Sequence, residues 1–232
     1  MPEISILHPT RERPQKSMET IKRWLARSGV DSVETIVSVD ENDPRLSRYR
    51  QLYSTLLINP NRSAVDAVNR AAENATGRIM IVVSDDTDCP SNWGRFILSA
   101  TKGKKDFVLK VYDGTQNWLV TQPILDRVYY ERFGYVYNPA YLHQFADTEF
   151  THVADILKRI IWRNDLLFPH RHYSVLKQRP DALYRRNDAT WNQGKRIYFR
   201  RCKEKFGLGA VNIYKLSAQG HQHIRWMKAN HL

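Results

Sequence analysis

Short apolar runs alternate with amphipathic segments through the first third of the chain. The run Ile4–Leu7 predicts a strand, and residues 14–28 place apolar side chains at helical spacing. A second strand is expected at 33–39 and a second helix at 62–76. Residues 78–83 are almost uniformly apolar, which is typical of a buried parallel strand. This alternation predicts an α/β fold whose first part is a doubly wound sheet flanked by helices.

The pattern is looser after residue 90, and no linker divides the chain. We expect one domain over residues 1–175 and a basic helical C-terminal extension over residues 176–232 that packs on it. The elements predicted in this part are strands at 107–111, 119–125 and 166–168, a short helix at 126–133, and longer helices at 148–163 and 188–206.

Polar residues follow three of the predicted strands, and the acidic cluster Asp85, Asp86 and Asp88 follows the most apolar one. Ligands of doubly wound sheets bind at the carboxyl ends of the strands, so these residues are expected at one site. Three neighbouring carboxylates repel one another unless a cation or hydrogen-bond donors compensate them, and Mg²⁺ or Mn²⁺ prefers such oxygen ligands. The alternative is a solvated Asp-rich turn or a helix cap before Trp93.

The net charge of +12 is unevenly distributed along the 232 residues. Residues 1–149 contain 19 basic and 19 acidic side chains, whereas residues 150–232 contain 17 basic and 5 acidic ones. The whole excess therefore lies in the last third, and such segregation indicates a region that faces a polyanion.

Three further features of the sequence limit the possible classes of protein. No stretch approaches eighteen consecutive apolar residues, so no transmembrane segment is expected. The N-terminus lacks a basic-then-apolar leader, and two cysteines, Cys89 and Cys202, are too few for a disulfide scaffold. These features favour a cytoplasmic protein.

Several motifs follow one another in a recognisable order over about residues 4–175. They are Pro9-Thr10-Arg11, Asp40, the helix 62–69, the Asp-x-Asp region with Pro90 and Trp93, the segment 134–149, and Phe168-Pro169-His170-Arg171-His172. In this order they resemble GT-A type glycosyltransferases of the large inverting family 2. The resemblance implies that this is a metal-dependent hexosyl or pentosyl transferase with a nucleotide-sugar donor, expected to be a UDP-sugar. The second-strand loop departs from the family pattern because it lacks the usual glycine.

The resemblance also implies roles for individual residues. Donor binding is expected from Pro9, Thr10, Arg11, Asp40, Arg62, Asp85 and Asp86. For Mn²⁺ or Mg²⁺ the expected ligands are Asp86, Asp88, His170 and His172, with Asp86 and Asp88 chosen for their spacing.

The general base that takes the acceptor proton is expected to be Asp147, with Glu149 as the alternative. Both could instead serve only as acids in the first turn of the 148–163 helix, where they would favour the helix dipole.

The basic C-terminal extension indicates the chemical class of the acceptor. Phosphate contacts from Lys and Arg supply most non-specific nucleic-acid affinity, and interleaved aromatic rings can stack on bases. We therefore expect a DNA acceptor with a hydroxylated base, as in the small glycosyltransferases with which bacteriophages decorate modified DNA, acting in the host cytoplasm. The alternatives are a glycan, protein or lipid acceptor at a membrane surface, a non-catalytic nucleic-acid-binding protein, or simply a solvated helix. The expected nucleic-acid-binding residues are Arg185, Arg186, Lys195, Arg196, Arg200 and Arg201.

Overall fold

The structure is a computed structural model, and it describes residues 2–229. The strands are β1 (Ile4–Thr10), β2 (Val33–Asp40), β3 (Leu57–Asn59), β4 (Ile79–Val82), β5 (Val108–Tyr112), β6 (Ile124–Asp126) and β7 (Ile160–Leu167). The helices are α1 (Pro14–Ala26), α2 (Leu46–Leu52), α3 (Ala64–Glu73), α4 (Trp93–Ala100), α5 (Arg127–Glu131), α6 (Ala146–Ile156), α7 (Ala182–Asp188), α8 (Trp191–Lys203) and α9 (Ala218–Ala229). A 3₁₀ turn at Lys205–Gly207 follows α8.

The strands form one mixed sheet in the order β3-β2-β1-β4-β6-β5-β7. Strands β3, β2, β1 and β4 run parallel to one another, and β6 is antiparallel to both of its neighbours. Because β2, β1 and β4 are adjacent and parallel, their carboxyl ends meet at one edge. The predicted α/β doubly wound mixed sheet is confirmed, and this edge is where the polar residues converge.

Alternate side chains of β1 serve the two faces of the sheet, as the pleat requires. Ile4 and Ile6 join a cluster with Trp24 of α1 and Trp93 of α4. Leu7 points to the other face, where the core comprises residues of α3, α5 and α6. Apolar residues fill both faces, which explains why β4 is buried along its whole length.

The C-terminal part shares a third core cluster with α6. Tyr198 of α8, Phe206 and Met227 pack with Phe145 and Val153 of the α6 region. Residues of the C-terminal part and of the α6 region therefore share one apolar core.

The predicted helix at 148–163 is shorter in the structure and is followed by a strand. Helix α6 ends at Ile156, and Lys158 has a left-handed conformation with φ of 58°. The amide of Arg159 donates to the carbonyl of Ala154, which closes the end of the helix. Ile160 and Ile161, predicted on its apolar side, instead belong to β7, which pairs parallel with β5. Within residues 2–229, no helix is long and apolar enough to span a membrane.

Candidate functional site

The carboxyl ends of β1 and β4 are joined by buried hydrogen bonds. The hydroxyl of Thr10 donates to Asp85, with oxygen–oxygen distances of 3.1 and 3.2 Å, and lies 2.8 Å from the Tyr49 hydroxyl. His8 Nε2 lies 3.3 Å from Asp85 Oδ1. Asp85 is thus directed inward, where it fixes β4 against β1.

Asp40, the last residue of β2, is buried beside a cation and an amide. The Arg11 guanidinium donates to one carboxylate oxygen, and Asn61 Nδ2 donates to the other at 3.0 Å. Arg11 also donates to Asn42 Oδ1 at 2.8 Å. The ends of β1 and β2 therefore form a small polar pocket of predicted donor-site residues, joined by Asn61, which the sequence did not single out. Pro9 pairs with Ser38 in this strand register.

Asp86 is buried at the centre of the site and contacts residues from far along the chain. His170 Nε2 lies 3.3 Å from Asp86 Oδ2, and the Tyr184 hydroxyl donates to the same oxygen at 2.6 Å. Burial alone would raise the pKa of Asp86, but its contact with His170 outweighs that effect and holds the pKa well below its usual range. The same contact raises the pKa of His170 against the opposing effect of burial.

Asp88 has a different environment, because three guanidinium groups surround it. Arg23 Nε and Arg27 Nη1 lie 3.0 and 3.2 Å from Oδ1, and Arg171 Nη2 lies 2.7 Å from Oδ2. The Cys89 amide also donates to Oδ1 at 2.9 Å. These contacts outweigh burial and lower the pKa of Asp88.

The four predicted metal ligands do not form one group in this structure. Within residues 2–229, no set of three or more His, Cys, Asp or Glu side chains is arranged to hold a metal ion. Asp88 is occupied by arginines, and His172 Nδ1 lies 2.8 Å from the Ser174 hydroxyl. His170 and His172 both lie after the end of β7, and the centres of their rings are 5.4 Å apart. Of the four, Asp86 and His170 are the two that contact each other directly.

Asp147 lies in the first turn of α6, and its Oδ1 accepts the Thr148 amide at 2.8 Å. Burial raises the pKa of Asp147, and the nearby His170 counteracts part of that rise. Asp147 therefore has a carboxyl with an elevated pKa at the start of α6.

Glu149 is engaged in a buried network. The Arg201 Nε donates to both of its carboxylate oxygens at 2.7 and 2.8 Å, and the Tyr141 hydroxyl donates to it at 2.7 Å. Burial raises the pKa of Glu149, with Arg201 and Tyr141 opposing the rise. A carboxylate held on both oxygens is poorly placed to accept a proton, which favours Asp147 over Glu149.

Arg62 lies apart from the polar pocket. Its guanidinium forms two 2.7 Å hydrogen bonds with Asp66 one helical turn further on, and its side chain is 62% exposed. It also donates to the Pro139 carbonyl at 3.2 Å. The structure thus pairs Arg62 with an acid of α3, although the sequence placed it among the donor-binding residues.

The predicted nucleic-acid-binding arginines and lysine lie in three different places. Arg201 points inward to Glu149, so this residue has a structural partner rather than a free outer surface. On the outer side of α8 lies a groove of about 580 Å³, which contains the partly exposed ring of Phe199. Arg185 and Arg186 lie on α7, and Arg185 donates to the Pro180 carbonyl at 2.7 Å. The groove is lined by Asn192, Lys195, Arg196, Phe199, Arg200 and Lys203.

A second cavity of about 550 Å³ adjoins the acidic loop. Lys16, Thr20 and other residues of α1 form one wall, and the segment 171–184 forms another. Arg13 of the α1 entry pairs with Asp181 and lies 4.4 Å from the centre of the Tyr184 ring. These long-range contacts position Tyr184 over Asp86, and no local sequence pattern signals them.

This order of strands, with an acidic loop after β4, defines a GT-A type fold. A mannosyltransferase, PcManGT from Pyrobaculum calidifontis in complex with GDP-Man and Mn²⁺, matches with a TM-score of 0.59 at 16% identity, over 79% of this chain and 59% of its own. TarS (1–349) of S. aureus matches with a TM-score of 0.57 at 17% identity, over 72% of this chain and 59% of its own. This chain thus spans about three fifths of the length of both proteins.

Glucosyl-3-phosphoglycerate synthase from Mycobacterium tuberculosis, in complex with Mn²⁺, UDP-glucose and phosphoglyceric acid, matches with a TM-score of 0.56 at 15% identity. That match covers 83% of this chain and 79% of the synthase. No family model matches the chain, and neither does any curated protein. At these identities the likeness establishes the fold.

Proposed function

We propose that the protein is a glycosyltransferase that moves a sugar from a nucleotide-sugar donor to a hydroxyl acceptor. The observation that carries this proposal is the convergence of Thr10, Asp40 and Asp86 at the carboxyl ends of β1, β2 and β4, where His170 lies 3.3 Å from Asp86. Candidate donor-binding residues and a candidate cation ligand thereby lie at one edge of the sheet. The fold is shared with a mannosyltransferase crystallised with GDP-Man and Mn²⁺, which supports the same class of reaction.

The donor nucleoside is assigned to the pocket of Thr10, Arg11, Asp40 and Asn61. Asp40 can accept hydrogen bonds from a base or ribose, and Arg11 supplies a positive charge beside it. A UDP-sugar is the proposed donor. Asp86 then lies one strand further along the same edge, towards the part of the donor that carries the diphosphate.

Asp86 and His170 would hold a Mn²⁺ or Mg²⁺ ion. Such an ion stabilises the negative charge that develops on a leaving diphosphate. Because Asp88 is bound by three arginines, it is assigned to those residues and not to the cation.

Asp147 is the proposed general base of an inverting displacement. The acceptor oxygen forms a bond to the anomeric carbon of the sugar as the bond from that carbon to the diphosphate oxygen breaks. The diphosphate leaves with the electron pair, and Asp147 takes the acceptor proton. A carboxyl whose pKa is raised by burial is a better base than an ordinary one once it is ionised.

The proposed acceptor is DNA that carries a hydroxylated base, as on bacteriophage genomes. The α8 groove supports a polyanionic acceptor, because it combines basic side chains with the Phe199 ring and lacks acidic lining residues. Lys and Arg can neutralise backbone phosphates, and an exposed ring can stack on a base. Reaching a base hydroxyl in a duplex would require local distortion or flipping.

Mass spectrometry of DNA products tests this proposal. Hydroxymethylated and unmodified DNA would be incubated with Mn²⁺ and a panel of nucleotide sugars, with Asp147→Asn as the inactive control. We expect a gain of one sugar mass on the hydroxylated DNA only. A sugar gain on glycan, protein or lipid acceptors alone would contradict the DNA assignment. Failure to transfer from every donor to every acceptor would overturn the glycosyltransferase assignment itself.

A further inference from the structure

The cavity beside the acidic loop is lined by five basic and five acidic side chains. It lies between α1 and the segment 171–184, and Asp86 belongs to its wall. Its volume of about 550 Å³ is within the range of small-ligand sites. The basic residues that line it are Lys16, Arg23, Arg27, Arg171 and Arg179.

Three of these cations converge on one carboxylate. Arg23, Arg27 and Arg171 all lie within 3.2 Å of Asp88, whose side chain is only 8% exposed. One carboxylate carries one negative charge and cannot neutralise three guanidinium groups. The side chains of Arg27 and Arg171 are 43% and 62% exposed, so they retain donors that face the cavity.

The other acids in the wall are engaged elsewhere. Asp85 is bonded to Thr10, and Asp181 is paired with Arg13. Asp86 contacts His170 and Tyr184, as described above. Glu19 is the remaining acid apart from Asp88, and Gln15 Nε2 donates to it at 3.2 Å.

Arg23 is held by the same carboxylate. Its Nε is buried 3.0 Å from Asp88 Oδ1 and makes no hydrogen bond to another described residue, so the charge of Asp88 is what holds this guanidinium. Planar guanidinium groups match the oxygens of phosphate, and several of them around one tetrahedral anion provide charge as well as direction.

We propose that this cavity binds a phosphate group through Arg23, Arg27 and Arg171, and that Asp88 holds the three guanidinium groups in place. Because the wall includes Asp86, the phosphate would lie next to the proposed donor site. The inference rests on the proposed function in one respect: the phosphate belongs either to the donor diphosphate or to the acceptor.

Direct binding measurements test the site. Inorganic phosphate and UDP would be titrated separately by calorimetry into the wild-type chain and into the double variant Arg27→Gln, Arg171→Gln. Arg48→Gln is the matched control, because Arg48 is an exposed residue of α2 that donates to Gln51. We expect phosphate affinity to fall at least tenfold in the double variant and to stay unchanged in the control.

The UDP titration distinguishes the two sources of the phosphate. A parallel loss of UDP affinity assigns the cavity to the donor diphosphate, whereas unchanged UDP affinity assigns it to a phosphate of the acceptor. Absence of saturable phosphate binding to the wild type, or undiminished binding to the double variant, would overturn the proposal.

Two features keep this test decisive. If the double variant does not fold, Arg171→Gln alone is used, since that side chain is largely exposed, and at least a threefold loss is expected. Phosphate binding is measured without sugar transfer. A failed transfer assay would therefore contradict the proposed function but not the phosphate site, and a failed phosphate titration would contradict the phosphate site but not the proposed function.

Discussion

Individual carboxylates of the site differ because their neighbours differ. Asp86 faces His170, and its pKa is lowered. Asp147 is half-buried, the Thr148 amide and hydroxyl donate to its Oδ1, and desolvation raises its pKa. Groups whose environments push their pKa values apart take different chemical roles. At the scale of the residue, Asp86 is therefore suited to remain charged beside a cation, and Asp147 is suited to exchange a proton.

Asp147→Asn is expected to lower the rate of transfer by about 10²–10⁴-fold, the usual contribution of a general base. Donor affinity, measured by calorimetry with a UDP-sugar, should stay within about twofold if the base acts on the acceptor side alone. In the wild type, transfer should fail as the pH drops through the raised pKa of Asp147, because the protonated carboxyl cannot act as a base.

The same substitution should not destabilise the fold. For a carboxyl with a raised folded pKa, stability is highest below the unfolded pKa and is lost as the pH rises towards the folded one. Asparagine removes this loss and can still accept the Thr148 amide. Thermal unfolding at neutral pH should therefore give an equal or higher midpoint. A large drop in that midpoint together with lost activity would indicate a structural role instead.

Glu149→Gln tests the alternative base. It weakens the pairing of a largely buried Arg201, and breaking buried pairs costs about 3–5 kcal/mol when a charge is left uncompensated. We expect lower stability in denaturant unfolding, with most of the rate of transfer retained by the folded fraction. A rate loss as large as that of Asp147→Asn, in a variant of normal stability, would contradict our choice of base.

Among the helices and strands, the apolar pattern predicts those whose buried residues follow a single helical or strand spacing. Strand β4 is buried throughout and the side chains of β1 pack in two cores, and a strand was predicted at each of these positions. The boundary between α6 and β7 was missed because Ile160 and Ile161 continue the helical spacing, while the left-handed Lys158 ends the helix without a glycine. Pairing with β5, a contact over some fifty residues, decides the outcome.

The residues of the candidate site likewise divide into those that the sequence predicts and those that it does not. Asp40 and Asp86 could be predicted because they follow strands, and strand ends converge in this class of sheet. The arginines around Asp88 could not be predicted, because Arg23 lies in α1, Arg27 caps its C-terminal end, and Arg171 lies in a loop 83 residues from Asp88. The partnership of Tyr184 with Asp86 spans 98 residues and has no local signal.

Helix α8 depends on a close approach to the segment that precedes α6. A Cβ on Gly194 would lie 2.2 Å from the Gln144 carbonyl oxygen, a backbone atom that cannot move aside easily. Gly194→Ala should therefore destabilise the protein by about 1–3 kcal/mol, as overpacking does. The control is Gln193→Ala on the exposed side of the same helix, which should change stability by less than about 0.5 kcal/mol. Equal unfolding midpoints in denaturant for both variants would show that α8 does not pack as described.

For the whole molecule, the division of charge has two different consequences. Part of the basic excess is already paired with acidic side chains, since Arg201 pairs with Glu149 and Arg171 with Asp88. Another part faces outward in the α8 groove with Phe199. Net charge alone therefore overstates the surface that a polyanion would meet, and the groove is the part that can be tested.

The salt dependence of DNA binding measures that surface. The triple variant Arg196→Gln, Arg200→Gln, Lys203→Gln removes three exposed cations of the groove. If each contacts one phosphate, the slope of log K against log salt for duplex DNA should become less steep by about 2.7, since each neutralised phosphate contributes about 0.9. Affinity measured by fluorescence anisotropy between 50 and 200 mM salt gives the slopes, and Arg48→Gln should match the wild type. Hydrolysis of a nucleotide sugar, which needs no DNA, should be unchanged in the triple variant because the groove is separate from the strand edge. An unaltered slope in the triple variant would remove the groove from the acceptor site and favour an acceptor other than nucleic acid.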